Sequence, residues 1–347
     1  MRILDQLYGP WELPEVLAQL MQTKTAERMR DISMSVKPNE LLIYGPLPSR
    51  CQHGLGAARL AQVVLEANPA LSDHKRNLLL ASAFLHDAGN PPFAHMAEPF
   101  MIQVIDRDGE TFLTDILASD PDALDILAMH DLSSDEVVRT VTGRTAFSKV
   151  LHGSVDVDNL DNVRRYAHHA QIEAPVYDPM FLAKMFIWQD GCWYIRSGFE
   201  DSLCRWKQAR ALVYAGLSDT AVVAPDFMII RAIKSAVEAG TLTREFFFLN
   251  DHQAIEWLCD NANTPDAWLV REVLRHRWFK PVYSVMTRNP TNKLRELGDD
   301  GNGRWALTSE LIGRTEIAPN LIGVHTGKGK DTRKITLSVL DSDNGPV

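Results

Sequence analysis

An adjacent histidine and aspartate, His86 and Asp87, stand at the end of the most apolar helical segment of the sequence. Ser72 is a suitable N-cap for this segment, and Gly89 followed by two prolines ends it, so the spacing predicts a helix over 71–89. Burying an ionisable pair in apolar surroundings is costly unless the charges are paired or bind a metal. Imidazole and carboxylate together are ligands suited to Mn, Fe, Co, Ni or Zn.

A further histidine, His53, opens the preceding predicted helix, which runs to about Glu66. If the two helices pack as antiparallel neighbours, His53 and His86 lie close enough together to share one ion. Taken alone, a His-Asp pair has a simpler explanation as a capped helix end or a surface pair. On the residues alone, both interpretations of the pair stay open.

Helical periodicity dominates the chain from about residue 12 to 285. Further helices are predicted over 14–24, 122–129, 158–169, 200–217, 225–239 and 264–278. The dipeptide Asp190-Gly191, between two β-rich runs, predicts a tight hairpin over 185–195. The segment 297–303 (LGDDGNG) is predicted to be a loop, and the β-branched runs of 316–340 indicate a small β-rich appendage.

The composition excludes several classes of protein. The 347 residues carry a formal net charge of −9, which argues against a protein that coats extended nucleic acid. The four cysteines are scattered without a C-x-x-C pair, so neither a disulfide framework nor a thiolate zinc site is expected. We recognise neither a signal peptide nor an apolar run of the ~18–20 residues needed to cross a bilayer. We therefore expect a cytoplasmic protein without a membrane partner.

Several motifs occur in a fixed order along the chain. RCQHGLG stands at 50–56, LHDAGNPPFAH at 85–95, and DVD at 156–158 continues into DNLDNVRRYAHH at 158–169. This set resembles the HD-domain phosphohydrolases. It most resembles their deoxynucleoside triphosphate triphosphohydrolases, which include bacterial dGTPases and the animal enzyme that joins a sterile alpha motif to an HD domain. The resemblance covers about residues 1 to 285 and leaves out the tail.

Carried over residue by residue, the resemblance implies one metal site surrounded by catalytic and substrate-binding groups. The implied metal ligands are His53, His86, Asp87 and Asp158. The implied catalytic groups are two pairs in which a carboxylate orients an imidazole, His95 with Glu98 and His130 with Asp131. The implied substrate contacts are Arg50, Asn159, Asn162 and Tyr166. Asp156, two positions before Asp158, is expected to be structural.

The resemblance also implies a mechanism, in which a metal-bound water attacks phosphorus. The expected cofactor is one divalent transition metal per chain (Mn, Fe, Co, Ni or Zn), and Mg at the substrate phosphates is an additional candidate. His95 or His130 would protonate the departing oxygen, while the bidentate fork of Arg50 would neutralise the phosphate. The expected partner is a small-molecule nucleotide or another phosphate ester.

The residues expected to face the substrate depart from the family's pattern. Asn159 stands where the triphosphohydrolases have a lysine for the phosphate tail, and Asn162 and Tyr166 replace a tyrosine and an aspartate. Met34 replaces a glutamine. Losing an ammonium opposite a polyphosphate removes a contact worth about 1.5–3 kcal/mol, unless Arg164 or Arg165 compensates. A phosphomonoesterase acting on a nucleoside monophosphate is therefore an alternative to a dNTP triphosphohydrolase.

Two other functions are compatible with these residues. In the first, His95 and His130 are additional ligands of a dinuclear site, as in HD phosphodiesterases and a few di-iron oxygenases. In the second, the chain is a catalytically inactive nucleotide-binding regulator, although all four implied ligands are retained.

The expected fold is mainly α, an HD-domain helical bundle with a small β-hairpin and a short β-rich C-terminal appendage. The predicted divisions are a catalytic core over 1–180, a helical continuation with the hairpin over 181–285, and a C-terminal loop and β-rich tail over 286–347. The resemblance further implies a homo-oligomer, either a dimer or a tetramer.

Overall fold

The computed structural model describes residues 1–34, 48–217, 220–260, 266–284, 287, 291–299, 301–315, 317–318, 321–325, 339–341 and 345–346. Within these residues the protein is mainly helical with two small sheets, which confirms the predicted fold class. The chain separates into two compact units, one of Met1–Val213, Arg244–Ala254 and Lys334–Val347 and the other of Tyr214–Thr243 and Ile255–Arg333. All the predicted site residues belong to the first unit. The three-part division of the sequence stays a prediction.

The helices and strands follow one another in this order. They are β1 (Arg2–Asp5), β2 (Gly9–Glu12), α1 (Glu15–Leu20), α2 (Lys24–Arg30), α3 (Arg50–Glu66), α4 (Asp73–Leu85), α5 (Glu98–Ile105), α6 (Gly109–Ala118), α7 (Pro121–Met129), α8 (Ser134–Val141), α9 (Val157–His169), α10 (Pro179–Ala183), β3 (Phe186–Gln189), β4 (Cys192–Arg196), α11 (Glu200–Gly216), α12 (Thr220–Glu238), α13 (Asp251–Asp260), α14 (Ala267–Leu274), α15 (Asn292–Asp299), α16 (Gly301–Gly313), β5 (Val339–Asp341) and β6 (Gly345–Pro346). None of these described helices is both long and apolar enough to cross a membrane.

Two central helices, α3 and α4, carry three of the predicted metal ligands at facing ends. A capping box between Ser49 and Gln52 begins α3, and the Ser72 side chain caps the first turn of α4, as predicted. Glycine is required at position 54, because a Cβ there would lie 2.4 Å from the carbonyl oxygen of Phe84. The start of α3 therefore packs against the end of α4, so the two helices run antiparallel, as expected.

A third helix, α9, brings the remaining predicted ligand to the same place. Its N-cap is Asp156, whose carboxylate accepts a hydrogen bond from the Asn159 N–H at 2.7 Å. Asp156 thus has the structural role expected of it, and Asp158 lies in the first turn of the helix. The helix also packs along α3, which is why residues more than one hundred positions apart meet in one site.

The predicted hairpin is confirmed as β3 and β4, which pair in antiparallel register from Phe186–Ile195 to Gln189–Cys192. Its turn residues Asp190 and Gly191 have φ values of 51° and 78°, the left-handed backbone of a two-residue hairpin turn. Strand β5 adds to β4 in parallel, β6 pairs antiparallel with β5, and β1 and β2 form a separate antiparallel sheet.

The predicted loop at 297–303 is wrong, because α15 and α16 occupy most of it. Glycine in a helix costs about 1 kcal/mol, so the two glycines of GNG disfavour this conformation locally. The Trp305 side chain of α16 packs against Phe227, with ring centroids 6.0 Å apart, and Nζ of Lys234 lies 4.9 Å from its ring centroid. These tertiary contacts outweigh the local preference.

The predicted β-rich segment at 316–340 is described only in part. Residues 316, 319–320 and 326–338 of this segment lie outside the described residues. Its last two residues belong to β5, which extends the hairpin sheet.

Candidate metal centre

His53 lies in the first turn of α3 and is completely buried. Its Nδ1 donates to Oδ2 of Asp161 at 2.7 Å, and its Nε2 lies 2.9 Å from Oδ1 of Asp158. A carboxylate on Nδ1 fixes the tautomer and leaves the lone pair of Nε2 available as a metal ligand. Burial by itself lowers the pKa of His53, but the hydrogen bonds with Asp158 and Asp161 outweigh burial and raise the pKa.

His86 is the C-cap residue of α4 and presents the same ring nitrogen. Its Nδ1 donates to the Ala83 carbonyl oxygen at 2.8 Å, whereas its buried Nε2 has no hydrogen-bond partner among the described residues. This Nε2 lies 3.7 Å from Oδ1 of Asp158, and the His53 and His86 ring centroids are 5.0 Å apart. An unpaired buried polar atom costs free energy, which a cation bound at Nε2 would remove.

His53, His86 and Asp158 together form one cluster, in which the potential ligand atoms lie within 4.8 Å of one another. The Asp158 side chain is 29% exposed, so the cluster is open to solvent on the side of α9. Two imidazoles and a carboxylate are the ligand set of Mn, Fe, Co, Ni or Zn. The cluster therefore could hold a divalent transition metal, as the sequence predicts.

Asp87, the fourth predicted ligand, lies beside this cluster but is also bound by other side chains. Its Oδ2 is 3.5 Å from Nε2 of His86 and 3.7 Å from Nε2 of His53. The same oxygen accepts a hydrogen bond from Arg50 at 2.5 Å, while Oδ1 accepts one from the amide of Asn90 at 2.7 Å. Burial raises the pKa of Asp87, but Arg50 and the two histidines hold it well below its usual range.

Arg50, the predicted phosphate contact, is a buried partner of a metal-ligand candidate. Its side chain is 4% exposed, and besides Asp87 it contacts the Met34 carbonyl oxygen at 3.4 Å. Its Nε has no hydrogen-bond partner among the described residues. The Nε–H of Arg50 is therefore still available to donate, while its Nη1 is bound to the Asp87 carboxylate.

A buried network behind His53 holds its orienting carboxylate, Asp161, in place. Arg165 donates to both oxygens of Asp161 at 2.8 and 2.9 Å, and the Tyr8 hydroxyl donates to Oδ1 at 2.7 Å. Arg165 also reaches Asp5 at 3.0 Å. Of the two arginines expected to compensate for the missing lysine, Arg165 is therefore not available, because its guanidinium is buried against two carboxylates. A compensating role for Arg164 stays a prediction.

Our sequence interpretation did not include Asp161. The sequence nevertheless contains a signal for it. Asp158, Asp161 and Arg165 are spaced three and four residues apart, which places them along one face of a helix. Such a face, packed against the helix that carries His53, predicts a carboxylate behind the ligand rather than another ligand.

The turn that follows α4 is supported by Arg28 of α2. Its guanidinium donates to the carbonyl oxygens of Ala88 and Asn90 at 2.9 and 2.7 Å, and to two carbonyl oxygens of the segment Arg244–Phe248. These contacts fix the backbone on which His86 and Asp87 stand. Arg28 is therefore a scaffold residue of the site.

The predicted pair of His95 and Glu98 is formed. Nδ1 of His95 lies 3.2 Å from Oε2 of Glu98, and Oε1 of Glu98 accepts a hydrogen bond from the Gly109 N–H at 2.9 Å. Burial raises the pKa of Glu98, but the contacts with His95 and Gly109 outweigh it and lower the pKa. The His95 side chain is 60% exposed, so its imidazole is oriented by the protein and accessible to a ligand.

The predicted pair of His130 and Asp131 is not formed. Nε2 of His130, the C-cap of α7, lies 2.7 Å from Oε1 of Gln19. Asp131 has a φ of 58°, and its side chain is 98% exposed and 3.8 Å from Nδ1 of His74. The Asp131 carboxylate is therefore exposed to solvent, and Gln19 is the partner of His130 instead. A catalytic role for His130 stays a prediction.

The remaining predicted substrate contacts lie on α9. The Asn159 side chain donates to Oδ1 of Asp156 at 2.8 Å, and the buried Tyr166 hydroxyl donates to the Met34 carbonyl oxygen at 2.9 Å. Asn162 is half-buried. Tyr166 therefore supports the backbone at Met34, whereas Asn159 lies next to Asp158 at the open side of the cluster.

The sequence is similar to two curated proteins, and no protein-family model matches it. The uncharacterized protein YwfO of Bacillus subtilis is 27% identical over 172 residues, which are 47% of this chain and 39% of YwfO. The uncharacterized protein MJ1154 of Methanocaldococcus jannaschii is 24% identical over 310 residues, which are 84% of this chain and 62% of MJ1154. The chain thus spans less than two thirds of the length of either relative.

The fold is shared with solved structures at low sequence identity. A hypothetical protein from Aquifex aeolicus has a TM-score of 0.70 at 19% identity, covering 90% of this chain and 81% of that chain. A phosphohydrolase from Bacteroides thetaiotaomicron has a TM-score of 0.70 at 16% identity, covering 100% of this chain and 93% of that chain. The chain therefore has a fold similar to that of a phosphohydrolase.

Proposed function

We propose that the protein is a metal-dependent phosphohydrolase that acts on a nucleotide or another small phosphate ester. The observation that carries this proposal is the cluster of His53, His86 and Asp158 around one point, to which His86 contributes a buried imidazole nitrogen without a hydrogen-bond partner among the described residues. The fold shared with a phosphohydrolase and the HD-domain resemblance of the motifs support the same activity.

In this proposal the residues that would hold the cation and the side chains around them have different roles. A divalent cation held by His53, His86 and Asp158, with Asp87 beside them, would supply Lewis acidity toward a phosphate and activate water at neutral pH. His95, exposed and oriented by Glu98, is suited to give a proton to the departing oxygen. Arg50 keeps a positive charge next to the cluster, which favours an anionic substrate.

The contacts around the cluster favour a small phosphomonoester as the second candidate substrate. Two of the arginines that were candidates for the phosphate, Arg50 and Arg165, are already paired with carboxylates. Asn159 replaces the family's lysine and is itself bound to Asp156. A triphosphate tail needs several cationic partners, whereas one phosphoryl group at a metal needs few. We therefore weigh a nucleoside monophosphate equally with the dNTP that the resemblance implies.

A product panel tests the proposal. The purified protein is incubated with dNTPs, nucleoside monophosphates and sugar phosphates in the presence of Mn²⁺, and the products are identified by mass. Tripolyphosphate release from a dNTP supports the triphosphohydrolase, and orthophosphate release from a monoester supports the phosphomonoesterase. Tight nucleotide binding without turnover under any divalent metal indicates the inactive regulator and contradicts an enzyme.

Metal content and assembly are measured on the same preparation. We expect close to one bound transition metal per chain, and a stoichiometry near two would favour the dinuclear alternative in which His95 and His130 are also ligands. We further expect a homo-oligomer, a dimer or a tetramer, by native mass measurement. A cytoplasmic location stays a prediction.

A further inference from the structure

The start of α6 is packed against the turn that carries Asp87. The Gly109 N–H donates to Glu98, and a Cβ at position 109 would lie 2.5 Å from Oδ1 of Asn90, whose amide group bonds Asp87. Glycine is therefore required where the helix meets the turn. Glu110 follows directly, in the first turn of α6.

Glu110 has a histidine partner that comes from another part of the chain. Nδ1 of His152 lies 3.4 Å from Oε1 of Glu110. Gly143, with a φ of 72°, packs against the imidazole, because a Cβ there would lie 2.9 Å from Cδ2 of His152. His152 lies six positions before Asp158, so the same short segment carries a metal-ligand candidate and this imidazole.

The two side chains have the exposure that a ligand contact requires. His152 is 54% exposed and Glu110 is 43% exposed, whereas His53 is completely buried and His86 is only 11% exposed. Glu110 interacts electrostatically with His86, a member of the cluster, and with Glu98, a member of the other histidine–carboxylate pair. Burial raises the pKa of Glu110, although the neighbouring His152 opposes the rise.

We propose that His152 is a second proton donor at the candidate centre and that Glu110 is its positioning residue. Glu110 then takes the role toward His152 that was predicted for Asp131 toward His130. Because Nδ1 of His152 contacts the carboxylate, Nε2 is the nitrogen that would carry the donated proton. This inference rests on the proposed phosphohydrolase function and deepens it, because it assigns a group to the leaving oxygen.

The proposed step is a proton transfer coupled to hydrolysis. As the oxygen of water forms its bond to phosphorus, the bond between phosphorus and the leaving oxygen breaks, and the leaving oxygen keeps the electron pair. That oxygen takes the proton from Nε2 of His152. The attacking water loses a proton to solvent, and the exposed imidazole later regains one from solvent, so that net hydrolysis consumes only water.

A change of leaving atom distinguishes proton donation from a structural role. The substrate is the phosphate ester of the product panel that the wild type hydrolyses fastest, compared with its analogue in which sulfur replaces the leaving oxygen. A thiolate leaves without protonation, so loss of a general acid affects only the oxygen ester. We expect His152→Gln to lower kcat/KM for the oxygen ester by about 100-fold or more and for the sulfur analogue by less than about fivefold. Glu110→Gln should show the same selectivity with a smaller loss.

His74→Gln is the matched control, because His74 pairs with Glu136 at 3.3 Å on the surface in the same kind of contact. Its rates should equal those of the wild type, and Mn²⁺ binding measured by calorimetry should be unchanged in all three variants. Equal losses on both esters, or no loss in His152→Gln, would overturn the inference and leave the hydrolase intact. A wild type that binds Mn²⁺ but hydrolyses no member of the panel would overturn the hydrolase proposal and the inference with it.

Discussion

At the scale of single residues, each imidazole of the cluster has its outer nitrogen fixed by a neighbour. His53 donates to the Asp161 carboxylate, and His86 donates to a backbone carbonyl oxygen. In both rings Nδ1 therefore carries the hydrogen, and the unprotonated Nε2 faces the same point. A carboxylate behind a ligand histidine also increases the basicity of the ring, which strengthens metal binding. Asp161 should for this reason tune affinity without touching the metal.

Replacement of that carboxylate should weaken metal binding while the ligands themselves are kept. We expect Asp161→Asn to reduce Mn²⁺ affinity by about 10- to 100-fold, because loss of such partners typically has this effect. Isothermal titration calorimetry with Mn²⁺ measures the change. Asp5→Asn is the matched control, since Asp5 binds the same Arg165 but not His53. Equal affinities in wild type and Asp161→Asn would show that the contact is only structural.

At the scale of elements, the site depends on how closely α9 approaches α3. Position 56 of α3 allows this approach, because a Cβ there would lie 2.0 Å from Oδ1 of Asp161 and 2.4 Å from a guanidinium nitrogen of Arg165. Both side chains are buried and bound to each other, so they have little freedom to move aside. The helix pair therefore tolerates only glycine at this position.

Gly56→Ala should consequently disrupt the packing of α9 on α3. We expect a loss of about 1–3 kcal/mol in the free energy of unfolding, typical of an overfilled core, together with weaker Mn²⁺ binding. Urea denaturation and calorimetry measure the two effects. Gly313→Ala in α16 is the control, since a Cβ there meets nothing within 4 Å, and it should be neutral or slightly stabilising. A Gly56→Ala protein as stable as wild type would contradict the close approach.

Asp251, at the start of α13, supports the backbone that follows the turn at 86–90. Asp251 accepts hydrogen bonds from the N–H groups of Ser33 and Phe93 at 2.9 and 2.8 Å. Phe93 has a φ of 62°, which is unfavourable for a large side chain, so its backbone needs such support. Burial raises the pKa of Asp251 from 3.8 to about 6, although these N–H groups and two arginines oppose the rise.

This buried carboxyl predicts a pH dependence of stability. Because its pKa is higher in the folded than in the unfolded chain, its contribution is fully present below about pH 4 and is lost as pH rises through about 6. The difference corresponds to about 3 kcal/mol. Urea denaturation between pH 4 and 7 should show this slope in wild type and in the exposed control Asp125→Asn, but not in Asp251→Asn. The same slope in all three proteins would assign it to other groups.

At the scale of the whole molecule, ligands from two ends of one helix pair and from a third helix join in a single cluster. Any cation bound there links α3, α4 and α9 and therefore stabilises the folded state relative to the unfolded chain. Binding of this kind adds about 2.7 kcal/mol at a free metal concentration 100 times the dissociation constant.

Metal removal should thus lower the thermal stability of the first unit as well as abolish activity. We expect chelation to lower the melting temperature and Mn²⁺ to restore it. The double substitution His86→Ala and Asp87→Ala should remove the metal-dependent shift and all turnover, whereas His74→Gln should keep both. Differential scanning calorimetry with and without chelator measures the shift. Undiminished turnover in the double variant would refute the metal centre as the site of hydrolysis.

The sequence by itself determined the parts of the protein whose causes are local. Apolar periodicity, the Ser72 cap and the stop at Gly89 predicted the helix that ends at His86, and Asp190-Gly191 predicted the hairpin turn. The motif resemblance implied that His53, His86 and Asp158 share one site, and these three side chains form a cluster. Side chains three and four positions apart were likewise predictable, as His95 and Glu98 show.

Only the tertiary structure decided which polar groups meet across the chain. In the folded chain Arg50 pairs with Asp87, His130 contacts Gln19, and His152 contacts Glu110. These contacts depend on how helices far apart in sequence pack, which neither propensity nor spacing records. Packing also explains the helix over 301–313. Its Trp305 side chain packs against Phe227 of α12, a contact that the local sequence, with its two glycines, does not predict. The sequence motifs therefore identified the candidate metal ligands, whereas the packing of the helices determined which side chains pair with them.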